Sequence, residues 1–328
     1  MTATKECRRR RSRMRRQRTG KRLELSPRDF EIFKLLDRYR YLRSSYLYAF
    51  VGGKSETRFK ERLGDLYHDG GYLDRPREQW LLANCRYAPV VYTLSDSGQR
   101  MLREHRGASA EQPLLNEGRP GACRQFAHAL MISEVLALFE LGARRDPKLR
   151  FISWREILAK APDATRAKPK PFAFRVSVSR LLSGDQATSL ETTVEPDALF
   201  GLEYRQRDAM VYRFFALEAD RGTMPIVRAD RGQSSLVRKA LGYRTVAAEQ
   251  LFRTQLGVPN LVVLVLTLGV DRRDNFISAL ETIAGSSELF LCAPLSAVHT
   301  SAGTVHSVPM LLRGSWYRAG MKPTCIVE

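Results

Sequence analysis

The run "FFALEADRGT" (Phe214–Thr223) turns from apolar residues straight into Glu218-Ala219-Asp220-Arg221. Two carboxylates closing a buried run are costly unless something neutralises them. On a strand, side chains alternate. Glu218 and Asp220 then share one face, about 7 Å apart at Cα, and Ala219 points to the other. Upstream, "VEPDALFGL" puts Glu195-Pro196-Asp197 at the start of another strand. If the two strands are hairpin neighbours, Asp197 faces Glu218, and three carboxylates converge at one end of a sheet. Such a set repels itself unless a divalent cation or a basic group sits among its members. Oxygen-only ligation suits Mg²⁺ or Mn²⁺. An ion held there would activate a water and steady the charge of an in-line phosphodiester attack. The plainer alternative is a strand-end ion-pair cluster of Glu218, Asp220 and Arg221.

The surrounding pattern is a mixed α/β domain over residues 123–298. A strong helix, "RQFAHALMISEVLALFELGAR", opens it, with His128 and Glu134 set among apolar residues. Strand-like segments lie near Arg150–Ser153, Phe172–Val178, Thr192–Phe200 and Val211–Leu217. A helix over Ser235–Gln255, a strand over Leu261–Leu268, a helix over Arg273–Ile283 and a strand over Glu288–Ala293 follow. This late alternation predicts partly parallel pairing with helices covering the sheet. "KAPDATRAKPKPF" is a basic, Pro-rich loop, read equally well as a nucleic-acid path or as plain solvated chain. Residues 299–328 read as a C-terminal tail.

The first third has a different character. Ser26 and Pro27 begin a helix, with Phe30, Phe33 and Leu36 on its apolar face. A second helix runs from Leu42 to about Phe50. A third opens in "KSETRFKERLGDLYHDGGYL", where Phe59, Leu63 and Leu66 form the core stripe. Tyr72-Leu73 and "APVVYTLSDSG" can pair as a hairpin. Three helices and a hairpin over residues 23–105 make a winged helix-turn-helix pattern, and residues 106–122 read as a linker. Lys54, Thr57 and Arg58 point away from the core stripe, placed to meet base edges and phosphates of double-stranded DNA.

Charge agrees. Lys and Arg number 54 against 35 Asp and Glu, a net +19, which points to a polyanionic partner. Eleven of those cations lie between Met1 and Arg22 against Glu6 alone. This arm, with Arg8, Arg9, Arg10 and Arg11, is expected to be disordered when free and to touch phosphate, a solubilising tail being the alternative. Five scattered cysteines without a CxxC pair argue against a disulfide framework and a zinc knuckle. No secretory h-region or bilayer-length apolar run is evident, so a cytoplasmic protein without membrane association is expected.

The order of "PD", a strand ending in "ExD", and a helix with a Lys resembles the PD-(D/E)XK nuclease fold. That resemblance implies Asp197 and Glu218 as metal ligands. Asp220 stands where the family has its Lys, a departure that leaves Lys239 on the following helix, or Arg221, to supply the cation. Glu134 would add a ligand from the first helix. The combination of "LSPRD", "FAHAL", "EPDALF" and "ALEADRGT" resembles the replication-relaxation family of plasmids and mobile elements. The expected fold is therefore α+β to α/β: a winged helix-turn-helix, then a restriction-endonuclease-like mixed sheet flanked by helices. The resemblance implies a DNA-binding protein acting in replication, relaxation or mobilisation, with a relaxase or replication initiator as partner. The alternative is an active Mg²⁺-dependent endonuclease or nickase.

Overall fold

A computed structural model describes residues 11–82, 84–106, 123–180, 188–206, 209–222, 224–227, 235–295 and 308–327. Arg8, Arg9 and Arg10 and the expected linker lie outside the described residues, apart from Arg106. The chain divides into two compact units, Met1–Glu134 and Val135–Glu328.

In the N-terminal unit, α1 (Pro27–Tyr39) is followed by β1 (Leu42–Arg43), α2 (Ser44–Val51), α3 (Glu56–His68), β2 (Leu73–Asp74), β3 (Val91–Leu94) and α4 (Asp96–Arg106). Ser26 caps α1, and the Asp29 carboxylate accepts from both the Ser26 N–H and its hydroxyl at 2.8 Å, a reciprocal cap that fixes the helix start. Ser55 accepts from the Arg58 N–H and begins α3. The three short strands form an antiparallel sheet in the order β1-β3-β2, with Leu73 opposite Leu94. Phe33, Leu36, Leu47, Leu63 and Leu66 are buried between the helices and this sheet. Lys54, Thr57 and Arg58 are exposed, as the stripe on the other face of α3 requires.

From Arg11 onward the arm is not free chain. Arg11 pairs with Asp65 at 2.7 Å and Asp69 at 3.1 Å, Lys21 with Asp65 at 2.6 Å, and Arg16 with Asp74 at 2.6 Å. Arg13 donates to the Arg86 and Ala88 carbonyls. The reason is the charge of α3. Its last turn and cap carry Asp65 and Asp69, placed against the negative end of the helix dipole, and the arm's cations offset both. Arg11 is thus committed within the protein.

The same strap buries His68, whose Nδ1 accepts from the Gln17 N–H at 3.1 Å. Burial, aided by Arg75, Arg11 and Arg16, pulls the imidazole down to about 4, with Asp69 opposing. The folded protein therefore refuses a proton that the unfolded chain accepts below pH ~6.5. Stability is fully present above that pH and falls as pH drops toward 4. The wild type should lose on the order of 1 kcal/mol between pH 7 and pH 5, a figure reduced from full linkage because the surrounding arginines are partly solvated. His68→Gln keeps an acceptor for the Gln17 N–H and should flatten that slope in urea titrations at the two pH values. An unchanged slope would refute this.

The long α5 (Cys123–Arg145) contains the division between the units. Among the described residues, its span Gln125–Arg145 is long and apolar enough to cross a membrane, but most of it is buried in the protein. The C-terminal unit is built on a seven-stranded mixed sheet. Its strands are β4 (Leu149–Ile152), β7 (Ala198–Gln206), β8 (Ala209–Asp220), β9 (Val262–Thr267), β10 (Phe290–Pro294), β11 (Trp316–Arg318) and β12 (Met321–Thr324). The order is β12-β11-β10-β9-β8-β7-β4, with β8, β9 and β10 parallel. The short α6 (Trp154–Lys160) and α7 (Asp163–Arg166) lead to β5 (Phe174–Arg180) and β6 (Thr188–Val194), which form a separate hairpin. On one face of the sheet Phe200 stacks with Phe151 and Phe215 and meets Phe139 at a tilt. On the other, Ala216, Val263 and Val265 meet α8 (Leu236–Ala248) and α10 (Val270–Ala284) through Tyr243, Phe276 and Leu280.

Three sequence expectations change. Within the expected C-terminal tail, the described residues 308–327 are folded: β11 and β12 extend the sheet, and Trp316 is buried at 1% exposure. The single strand expected over Thr192–Phe200 is the end of β6 and the start of β7, separated at Glu195-Pro196-Asp197, where Pro196 lacks the N–H a ladder needs. The helix expected over Ser235–Gln255 is two, α8 and α9 (Leu251–Leu256), broken where Gln250 adopts a left-handed φ of 52°.

Gly242 lets α8 lie close on the β5–β6 hairpin. A Cβ there would stand 2.2 Å from Val194 Cγ2. Gly242→Ala gains helix propensity but overpacks the contact, so a net loss of about 1–2 kcal/mol is expected in denaturant titration. A stabilised variant would show that the contact yields freely.

Candidate functional site

β7 and β8 are hairpin neighbours, with Ala198 opposite Leu217. The Asp197 N–H donates to the Leu217 carbonyl at 3.0 Å, and Asp197 Oδ2 accepts from the Ala219 N–H at 2.8 Å. One more step of this register sets Asp197 opposite Glu218. On the other side of β8, the parallel β9 brings Val265 beside Glu218 and Thr267 beside Asp220. The carboxylates thus stand at the C-terminal end of parallel strands, where an open α/β sheet gathers its loops.

Glu218 is 5% exposed and receives two donors from α8. Lys239 Nζ donates to Oε2, and the Tyr243 hydroxyl to Oε1. Lys239 and Tyr243 are four residues apart, hence on one helix face. Ser235 caps this helix by accepting from the Arg238 N–H at 3.1 Å. Burial pushes the Glu218 carboxyl up to about 7; Lys239 opposes the rise and the Asp197 charge adds to it. Burial works against the Lys239 ammonium, but Glu218, Asp197 and Glu195 outweigh it and hold its pKa above the ordinary lysine value. Burial lifts the Tyr243 phenol well above its usual range, and the charges of Glu218 and Asp197 lift it further. Asp197, Glu218 and Lys239 are therefore one electrostatic unit, with the carboxyl of Glu218 poised near neutrality.

Asp220 has a different role. Its carboxylate accepts from Arg272 Nε and Nη2 and from the Gly222 N–H, while Arg272 also donates to the Met224 carbonyl. The pair fixes the turn that leaves β8. Asp220 is thus tied to α10 through Arg272, and the side chain that meets Glu218 is Lys239. Glu134 lies in the N-terminal unit, 1% exposed, where Arg43 Nε donates to it at 2.6 Å. An ion pair accounts for its burial without a metal. Among the described residues, no group of three or more His, Cys, Asp or Glu is placed to hold a metal ion. The convergence is thus two carboxylates and a lysine. A cavity of about 460 Å³ lies elsewhere, lined by Arg213, Leu261, Leu289 and Arg318 near the opposite ends of β9 and β10.

Sequence reasoning missed Tyr243 and Arg272. Tyr243 was readable as the i+4 neighbour of Lys239. Arg272 was not, because it reaches Asp220 only once β9 is known to pair parallel with β8.

A family model described as replication-relaxation matches residues 33–262, more than half of the chain. The chain belongs to the replication-relaxation family. The expectation drawn from "PDALF" and "EADRGT" holds. The match takes in α3, Asp197, Glu218 and Lys239 and stops short of Arg272. Membership in the replication-relaxation family supports a role in replication or relaxation of plasmid or mobile-element DNA. No curated protein and no solved structure matches the chain.

Proposed function

We propose that this replication-relaxation protein binds double-stranded DNA through its N-terminal unit and acts on a phosphodiester at Asp197, Glu218 and Lys239. The observation that carries this reading is the meeting of those three side chains at the end of β8. It resembles a PD-(D/E)XK site whose lysine has moved onto the next helix. Two adjacent carboxylates, with the Asp197 charge raising the proton affinity of Glu218, fit a hard divalent ion, since Mg²⁺ is commonly held by one or two carboxylates and several waters. Asp197 and Glu218 would hold Mg²⁺ or Mn²⁺. The ion, when bound, supplies an activated water and neutralises phosphate charge. Lys239, released from Glu218, is the group to donate to a phosphate oxygen or hold a proton at Nζ.

The helix–strand–helix–helix–strand–strand order of the N-terminal unit supports a winged helix, with α3 as the helix that enters the major groove. Arg58→Ala should weaken binding to a cognate duplex by about 1–3 kcal/mol and relax sequence preference, whereas Lys54→Ala should weaken all duplexes alike. Equal binding by Arg58→Ala and wild type would remove α3 from the interface.

A second reading has its own support. Both Glu218 oxygens already have donors, as in a structural ion pair. The protein would then be a DNA-binding accessory to a relaxase or replication initiator. Supercoiled plasmid incubated with Mg²⁺ or Mn²⁺ separates the two. Nicking by wild type that falls by ~10²-fold or more in Glu218→Gln supports the site. Intact DNA binding without nicking supports the accessory.

A further inference from the structure

The stretch 160–175 carries Lys160, Arg166, Lys168, Lys170 and Arg175 against Asp163 alone. All five cations are exposed. The backbone beneath them is fixed rather than loose. Gln255 Nε2 donates to the Pro171 and Ala173 carbonyls at 2.7 and 3.0 Å, and the Thr165 hydroxyl donates to the Gln255 carbonyl at 2.6 Å. Thr165 is 3% exposed, and Phe172 packs edge-on against Trp154. Pro169 and Pro171 lock their φ angles between these anchors. The segment also borders the carboxylates. Lys170 pairs with Glu195 at 2.7 Å, two residues before Asp197. That surface pair is weak and readily exchanged for a phosphate.

We infer that this segment is a phosphate-binding ledge along which the backbone of duplex DNA lies on its way to the Asp197–Glu218–Lys239 site. The inference rests on the DNA-binding reading above but not on cleavage. A solvated loop needs neither two half-buried backbone anchors nor cations on one fixed backbone. A polyanion gains from both, because the backbone is already ordered when it binds and only side chains remain to be fixed.

The test is the salt dependence of binding to a 40-base-pair mixed-sequence duplex, measured by fluorescence anisotropy on the full chain. Each phosphate contact contributes about 0.9 to the slope of log K against log salt. Arg166→Gln/Lys168→Gln/Lys170→Gln should lower the slope by about 2–3 and weaken low-salt binding at least tenfold. All three side chains are exposed, so folding should survive, and a denaturation midpoint checks it. The control is Arg145→Gln/Lys148→Gln/Lys322→Gln, which removes the same charge from exposed positions elsewhere in the unit. Its slope should stay within about 1 of wild type. An unchanged slope in the ledge variant, or an equal fall in the control, overturns the ledge. A wild type that binds no duplex overturns the DNA-binding reading itself, a result distinct from either.

Discussion

Lys239→Met should destabilise the protein by about 3 kcal/mol, the lower part of the range for breaking a buried ion pair from one side. The Glu218 side chain is 6% exposed and that of Lys239 24%, so the lysine is partly hydrated and the upper part of the range does not apply. Methionine keeps the length and apolar stem of the side chain. What is lost is the ammonium beside a buried carboxylate, with the Tyr243 hydroxyl remaining as a donor to Glu218. Lys239→Met/Glu218→Gln should recover most of the loss, since no charge is then stranded. Urea titrations of the three variants at constant m decide it. A single variant within 0.5 kcal/mol of wild type would mean that water already reaches Glu218.

Arg43→Met should cost about 3–4 kcal/mol. Glu134 is 1% exposed, Arg43 Nε is its donor at 2.6 Å, and Tyr46 is buried close enough for the carboxylate charge to add to the burial that raises its phenol. Arg43→Met/Glu134→Leu should restore stability to within about 1 kcal/mol of wild type, because a well-packed apolar pair replaces a buried ion pair at little cost. The double variant should also bind Mn²⁺ as wild type does. Loss of metal binding in a folded double variant would return Glu134 to the ligand set.

These pairs show what local pattern carries and what it does not. Alternation along β8 was enough to put Glu218 and Asp220 on one face, and "PD" one strand earlier was enough to face Asp197 toward Glu218. The partners were not all local. Lys239 and Tyr243 follow from helical spacing once the helix is placed. Arg272 lies 52 residues from Asp220, and only the parallel crossover from β8 to β9 brings it back. Resemblance to a first-helix glutamate makes Glu134 a candidate ligand, and its ion-pair partner Arg43 lies 91 residues earlier, beyond the reach of local pattern. The arm reads as disordered from composition, since nothing within it is apolar and periodic. From Arg11 onward its order comes from Asp65, Asp69 and Asp74, which pattern assigns to another element. β11 and β12 are three and four residues long, too short for alternation to register.

The most direct test of the proposed site is the stoichiometry of Mn²⁺ binding, followed by electron paramagnetic resonance on wild type and Asp197→Asn. Asparagine keeps an oxygen to accept from the Ala219 N–H, so the strand end should hold its shape. If Asp197 and Glu218 form a metal site, wild type takes up one ion and Asp197→Asn loses at least tenfold in affinity. Equal uptake by both proteins, or none by either, would contradict it and leave Glu218–Lys239 as a structural ion pair.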